Sequence, residues 1–397
     1  MKILFIAGQA IRSNSSATMM NLAFINGLVE LGNEVNVITA KLPNEHVAID
    51  TGFKVPKGIK VFEYAIGSAF NMMSNKQKKK GLKHSAISAI KGLARNIYYK
   101  YSIYDSQKSW VQNVEKFDVN KEVYYDLIIS SSDPKHSHIF AEELIKSNKL
   151  NFRKWVQLWG DPMFLDITRK GFLFKKRLLK EEERLISVAD KVIYVSPFTA
   201  SEQKYIFPKY SGKINYVLIP YFKRDESLPN QTLGDNMVFG YYGDYNSETR
   251  NLEPLFNAAL ESKLKLLIRG NSDKPLRSTG LIDVKSRVQI KELEKVEKNT
   301  DVFIHLCNSK GSQIPAKVYY YSGTKKPILF ILDGDTEKIK QFYKQFDRYI
   351  FCENKKEDIL SAINRIRLSK YSIKETRIVD ELSPATIAAD LLRKIEI

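Results

Sequence analysis

The chain has 397 residues, 43% hydrophobic and 27% charged, so two or perhaps three domains can each bury a full core and disorder is not the default. A net charge of +18 favours an anionic partner: nucleic acid, an acidic membrane surface or phosphorylated small molecules. Two cysteines, Cys307 and Cys352, make neither a disulfide framework nor a metal-ligand spacing, which points to a reducing, cytoplasmic compartment.

Met1-Lys2 is followed by only five apolar residues before Gly8, too few for a signal-peptide core, and no window approaches the roughly 18 apolar residues of a membrane span. Lys2 to Ala7 reads as a buried strand, Ala17 to Leu31 as a helix with apolar residues at helical spacing, and Glu34 to Thr39 as a second strand. Gly8, Ser15 and Ser16 lie in the loop between them, where they face a ligand or simply make a turn and cap. The three spaced glycines of a dinucleotide fingerprint are absent, so no nicotinamide cofactor is inferred.

Lys60 to Ala65 is a third candidate strand. Between Phe70 and Trp110 nine lysines and arginines then face one acid, Asp105, and Leu82, Ala86, Ile90, Leu93, Ile97 and Tyr101 share a helical face. That is the pattern of a basic helix lying on an anionic membrane, and equally of a core-packed helix with a solvated basic flank. The tyrosines there have no nucleic-acid module around them, so nucleic acid is not an expected partner.

Strands follow at Asp126 to Ser130, at Lys154 to Trp159 and at Lys191 to Val195, with a helix from Lys175 to Ala189 and a cap at Ser196. Tyr216 to Ile219 reads as a last short strand. Pro220 to Asn236, carrying two prolines and a glycine, reads as a linker. The alternation restarts at Met237 to Gly243, with a helix after Arg250 and strands at Leu264 to Ile268 and Arg287 to Ile290. Asp190 and Asp301, each just before a buried strand, read as structural.

In the stretch Asn308 to Leu329, a strand (Val302 to Leu306) runs into a loop of small residues and then a short helix with Pro315 in its first turn. Gly323 closes that helix, and Lys325-Lys326 complement its negative end. In an α/β domain such a loop lies at the carboxyl edge of a parallel sheet, where phosphates bind, and Lys317 could add positive charge; an ordinary βαβ turn has the same spacing. The expected architecture is α/β: two doubly wound, Rossmann-like domains facing across a cleft. The boundaries are 1–220, with a basic insertion at 70–110, then 237–375, and a closing helix at 376–397.

Several segments are similar to one known family. They are M-K-I-L-F-I-A-G, Y-D-L-I-I-S-S-S-D-P-K-H-S-H, W-V-Q-L-W-G-D-P-M, A-D-K-V-I-Y-V-S, Y-Y-G-D-Y-N-S-E-T-R-N and I-P-A-K-V-Y-Y-Y-S-G-T-K-K-P-I-L. Across nearly the whole chain they resemble the GT-B glycosyltransferases, specifically the retaining, family-4-like group with a P-x-K phosphate loop. The resemblance implies transfer of a sugar from a UDP- or GDP-linked donor to a glycan acceptor such as a lipid-linked bacterial surface polysaccharide. No metal or further cofactor is implied. Arg250 and Lys317 would grip the diphosphate, and Asp161 and His138 are further candidates for catalysis. Donor contacts are implied at Gly8, Gly243, Asp244, Gly270, Ile290, Ser312, Gln313, Ile314, Pro315 and Tyr320. Asp161 alternatively caps a turn, and His136 and His138 alternatively start a helix at the surface.

Two departures from the family pattern stand out. Ser312 and Tyr320 occupy the places of two glutamates, the second of which grips the donor ribose in that family. Gly160 stands where close relatives have an arginine. A nucleotide-sugar 2-epimerase of the same fold, which would need carboxylates over the sugar, and a non-catalytic glycan- or nucleotide-binding scaffold are the alternatives. A peripheral position on the inner face of the membrane is the expected location.

Overall fold

The computed structural model describes residues 1–43, 46, 48–67, 101–117, 123–167, 169, 174–222, 236–368 and 374–396. The basic segment expected to form a helix, apart from Tyr101, and most of the expected linker lie outside them. The chain divides into two compact units, Met1–Leu218 with Ala389–Ile397, and Ile219–Ala388. The last nine residues thus return to the first unit.

In the first unit, β1 (Lys2–Ala7), α1 (Ser16–Glu30), β2 (Glu34–Lys41) and β3 (Lys60–Ala65) open the sheet, and a 3-10 helix (Ser106–Lys116) precedes β4 (Tyr124–Ser131). They are followed by α2 (His136–Lys146), β5 (Asn151–Trp159), α3 (Lys175–Val188), β6 (Lys191–Tyr194), α4 (Pro197–Ile206) and β7 (Ile214–Tyr216). All neighbouring strands are parallel, in the order β3-β2-β1-β4-β5-β6-β7. Strands buried on both faces need near-continuous apolar runs, which Ile3 to Ile6 and Leu127 to Ile129 supply at 0% exposure. Ser15 and Ser196 cap α1 and α4, accepting from the Thr18 and Thr199 amides at 3.1 and 3.3 Å. Trp110, fully buried, stacks on Phe140 with ring centroids 4.3 Å apart, anchoring the 3-10 helix in the core.

The second unit repeats the plan. Its elements are β8 (Val238–Tyr242), α5 (Glu253–Glu261), β9 (Lys265–Arg269), β10 (Ile282–Lys285), α6 (Ile290–Lys298) and β11 (Val302–Leu306). Next come α7 (Lys317–Ser322), β12 (Ile328–Leu332), α8 (Thr336–Tyr343), β13 (Ile350–Glu353) and α9 (Lys356–Leu368), and the chain closes with α10 (Pro384–Lys394). The parallel order β10-β9-β8-β11-β12-β13 matches the first six strands of the first unit position for position. In both units the order reverses next to the first strand, between β1 and β4 and between β8 and β11. Such switch points open a crevice at the carboxyl ends of the strands.

Three aspartates close the opposite edge. Asp126, Asp190 and Asp301 accept the amides of Lys2, Trp155 and Val238 at 2.7, 2.7 and 2.8 Å, so their role is structural.

Four expectations change. The strand expected at Arg287–Ile290 is instead Ile282–Lys285, in register with Leu266–Arg269, and Ile290 opens α6, where it and Leu293 face inward. Tyr216 ends β7 rather than beginning a strand, because β6 has no residue beyond Tyr194 in the ladder for it to pair. Pro315 lies ahead of α7, whose cap is Ala316. Lys326 serves the end of α6 instead of α7: its buried ammonium donates to the carbonyls of Glu297, Lys298 and Thr300 at 2.6, 2.9 and 2.6 Å. Gly323 does close α7, but with an ordinary φ of −83°. A Cβ there would lie 2.6 Å from the Tyr221 ring, so a close approach, and not a left-handed turn, requires glycine.

Replacing Lys326 by Met should cost about 2–4 kcal/mol in urea unfolding, because three helix-end carbonyls lose a charged donor, whereas Met at exposed Lys298 should stay within about 0.5 kcal/mol. Burial, aided by the charge of Arg250, lowers the pKa of His305 to about 3, so the unfolded chain binds a proton there that the folded chain refuses. That contribution to stability is lost as pH falls from about 6.5 toward 3. Urea midpoints of His305→Leu should therefore fall less than wild type between neutral pH and pH 4; parallel curves would show that His305 does not titrate in this way.

Candidate functional site

At the switch point of the second unit, β8 ends in Gly243-Asp244 and β11 ends in Cys307-Asn308. Arg250 returns between them on a tight loop in which Asn246 and Arg250 exchange both backbone hydrogen bonds, at 3.1 and 3.2 Å. Its guanidinium donates through Nε and Nη2 to Asn308 Oδ1 at 3.0 and 2.7 Å, and through Nη1 to the Asp244 carbonyl at 3.0 Å. Asn308 turns its other end on the phosphate-loop segment, donating from Nδ2 to the Gln313 carbonyl at 2.9 Å. The Ser309 amide donates to the Thr249 carbonyl at 2.8 Å, tying the two loops a second time. A half-buried arginine is thus fixed at the sheet edge by acceptors that leave its charge uncompensated by any carboxylate in these bonds.

The neighbouring residues complete the wall. Asp244 accepts the Asn271 amide at 2.9 Å and pairs with Arg287, so its carboxylate is used to hold loops together. Gly270 lets the end of β9 lie against β8, for a Cβ would fall 1.9 Å from the Gly243 carbonyl oxygen. Gln313 is only 7% exposed, yet neither its Nε2 nor its Oε1 has a hydrogen-bond partner. A buried amide without partners costs about 1–3 kcal/mol, which a polar ligand would relieve. Ser312, Ile314 and Pro315 are half-buried along the same loop. Lys317 opens α7 with its ammonium 5.9 Å from the Tyr321 ring centroid. Burial pushes the Cys307 thiol up to about 12, so it is no thiolate nucleophile.

Tyr320, expected among the donor contacts, is 1% exposed on the inner face of α7 and is a core residue in this structure. Ile290, at 7% exposure, likewise belongs to the packing of α6. The residue that sequence reasoning missed is Asn308. Its signal was slight: a carboxamide directly after a buried strand, at the first position of the loop.

In the first unit Gly8 and His138 are both taken up by packing. The Gly8 amide is spent on Ser137 Oγ at 2.8 Å, and a Cβ there would lie 2.6 Å from His136 Nε2, so this glycine admits the turn after β4. His138 is fully buried, bonded through Nδ1 to Ser130 Oγ at 2.9 Å and stacked on Trp159 at 4.6 Å, with burial holding its pKa well below the usual histidine range. It is a buried residue of the core. Burial is the largest single influence on Lys135 and lowers its pKa, but Asp133, Asp166 and the half-buried Asp161 together outweigh it and leave the pKa raised.

Asp133, Lys135 and Asp166 line a cavity of about 210 Å³ at the carboxyl edge beside β1 and β4. Asp133, Lys135 and His136 enter it from the turn after β4, and Asp105 and Tyr104 from the segment before the 3-10 helix. Met163 and Asp166 enter from the loop after β5, which Glu182 holds by accepting the Met163 and Phe164 amides at 3.0 and 2.7 Å. Of these, His136 was weighed as a site residue from the sequence; S-D-P-K-H after a strand was the available signal for the others in that turn.

No family model matches the chain, and no curated protein matches it. Among solved structures, one described as trehalose-6-phosphate from E. coli bound with UDP-2-fluoro glucose aligns at a TM-score of 0.60 and 9% identity, over 100% of this chain and 99% of that one. S. aureus TarM, in complex with fondaparinux, α-GlcNAc-glycerol and UDP, aligns at 0.57 and 11% identity over 100% of both chains. The lipopolysaccharide outer core galactosyltransferase WaaB aligns at 0.53 and 14% identity, over 100% of this chain and 99% of that one. At such identities the likeness establishes architecture: this chain has the two-domain, Rossmann-like α/β fold of the GT-B glycosyltransferases.

Proposed function

We propose that the protein is a glycosyltransferase that moves a sugar from a UDP- or GDP-linked donor onto a glycan acceptor. The observation that carries this is the Arg250–Asn308 pair at the switch point of the second unit, where a fixed guanidinium meets a loop containing the unpartnered Gln313 amide. Loss of a nucleoside diphosphate builds negative charge on the leaving oxygens, and a preoriented cation there is worth most in the transition state. Arg250 supplies that charge without reorganising, since Asn308 and the Asp244 carbonyl already hold it. Lys317 adds a second cation at the start of α7. Transfer would proceed with retention and without a metal, the departing phosphate taking the acceptor hydroxyl's proton.

The neighbours add support of a general kind: two carry a UDP compound in their descriptions, and one acts on the lipopolysaccharide outer core. A lipid-linked bacterial surface glycan is the proposed acceptor, reached from the cytoplasmic face of the membrane. Among the described residues no helix is long and apolar enough to cross a membrane. The basic run Lys78, Lys79, Lys80 and Lys83 is therefore the proposed contact with anionic lipid.

One observation favours a second reading. With Tyr320 buried and Ser312 in place of a carboxylate, the donor ribose has no acidic grip at these positions, which suits a scaffold that binds nucleotide without turnover. Calorimetric titration with UDP and GDP, joined to a donor-hydrolysis assay, separates the two.

Arg250→Ala should weaken nucleoside diphosphate binding by about 10- to 100-fold, the worth of one or two charge-assisted hydrogen bonds. Equal affinity in the variant would remove the diphosphate assignment, and binding without any donor turnover would favour the scaffold. Replacing Lys78, Lys79, Lys80 and Lys83 with Glu should reduce sedimentation with vesicles containing anionic lipid while thermal unfolding stays unchanged. Undiminished sedimentation would remove the membrane contact.

A further inference from the structure

The cavity in the first unit carries more polar chemistry than folding requires. Its volume of about 210 Å³ lies below the roughly 300–1,000 Å³ of pockets for drug-sized ligands, which limits an occupant to about one ring. Ile103, Tyr104 and Met163 give it an apolar side. Among the described residues its charges are three carboxylates, Asp105, Asp133 and Asp166, against two cations, Lys135 and Arg169.

Both cations are already engaged. The Lys135 side chain, 12% exposed, pairs with Asp133 and lies 5.7 Å from the Trp159 ring centroid. Arg169 donates to the carbonyls of Ser102 and Ile103. An ammonium has three donors and a carboxylate about four acceptor sites, so Lys135 and Asp133 keep hydrogen-bonding capacity beyond their mutual pairing. The wall also holds an unsatisfied group: His136 is 1% exposed, its Nδ1 faces Asp105 at 3.2 Å, and its Nε2 has no hydrogen-bond partner. Among the described residues no three His, Cys, Asp or Glu side chains are grouped to hold a metal ion.

We propose that this cavity binds one uncharged sugar ring of the acceptor and rejects rings that carry phosphate or carboxylate, despite the strongly basic chain around it. The proposal deepens the transferase reading and rests on it. Vicinal hydroxyls both donate and accept, which matches carboxylates alternating with an ammonium, and a pyranose also has an apolar C–H face to lay on Tyr104 and Met163. An anionic ring would instead place its charge among three carboxylates that outnumber the two cations of the described lining, one of which, Lys135, already pairs with Asp133, and such like-charge juxtaposition is an element of rejection.

Saturation-transfer NMR on the full chain tests this with methyl glucoside, methyl galactoside, methyl mannoside and methyl N-acetylglucosaminide, each beside its 6-phosphate. UDP and GDP are titrated in parallel. At least one neutral glycoside should bind, its 6-phosphate at least tenfold more weakly, and Asp166→Asn should weaken the neutral sugar at least tenfold while nucleotide affinity holds. Asp166→Lys, a reversal that mere unfolding cannot imitate, should shift preference toward the 6-phosphate. Tighter binding of 6-phosphates by the wild type, or neutral binding untouched by Asp166→Asn, would overturn the proposal. So would nucleotide binding with no glycoside bound. Glycoside binding without nucleotide binding would leave the cavity assignment standing and remove the donor site instead.

Discussion

One carboxamide organises the second unit's edge. Asn308 accepts two hydrogen bonds from Arg250 through Oδ1 and donates from Nδ2 to Gln313, so a single side chain sets both the guanidinium plane and the curl of the loop. The chemistry fixes which end of the amide faces which partner, since arginine only donates and a carbonyl only accepts. Without this residue the arginine would lose the two hydrogen bonds that set its plane and keep the one to the Asp244 carbonyl. With it, the charge is held in place before any ligand arrives, which is the condition under which an electrostatic contact accelerates a reaction instead of merely strengthening binding.

The two units reach this kind of edge by the same route. Each is a parallel sheet whose order reverses beside its first strand, and each gathers its polar groups where that reversal opens the carboxyl ends. What they gather differs. The second unit presents Arg250 at the edge without a carboxylate partner in its hydrogen bonds, whereas the first balances Lys135 and Arg169 against three aspartates. The charge that each unit presents at its edge thus follows from side chains and not from the fold.

Most of the architecture was legible because buried parallel strands must be apolar throughout and their ends must be punctuated. Val302 to Leu306 and the capping Ser196 illustrate this, as do Asp190 and Asp301 at the amino edge. The failures arise where local pattern is silent about burial. Arg287 to Ile290 has strand-like composition, but Ile290 is needed with Leu293 on the inner face of α6. His138 invited a functional reading as a histidine at a helix start, and Tyr320 by its place in the family pattern, yet stacking on Trp159 and the packing of α7 bury them. Asn308 was overlooked for the converse reason: its importance lies in a partner 58 residues away, which no short-range spacing reveals.

The central claim is that Arg250, positioned by Asn308, receives the diphosphate of a nucleotide donor. A crystal structure of the protein with UDP or GDP bound tests it most directly. The account predicts phosphate oxygens within hydrogen-bond distance of the Arg250 guanidinium, at the edge formed by the ends of β8 and β11, with the Gln313 amide acquiring a polar partner. A diphosphate lodged elsewhere, with Arg250 still bonded only to Asn308 and Asp244, would contradict it.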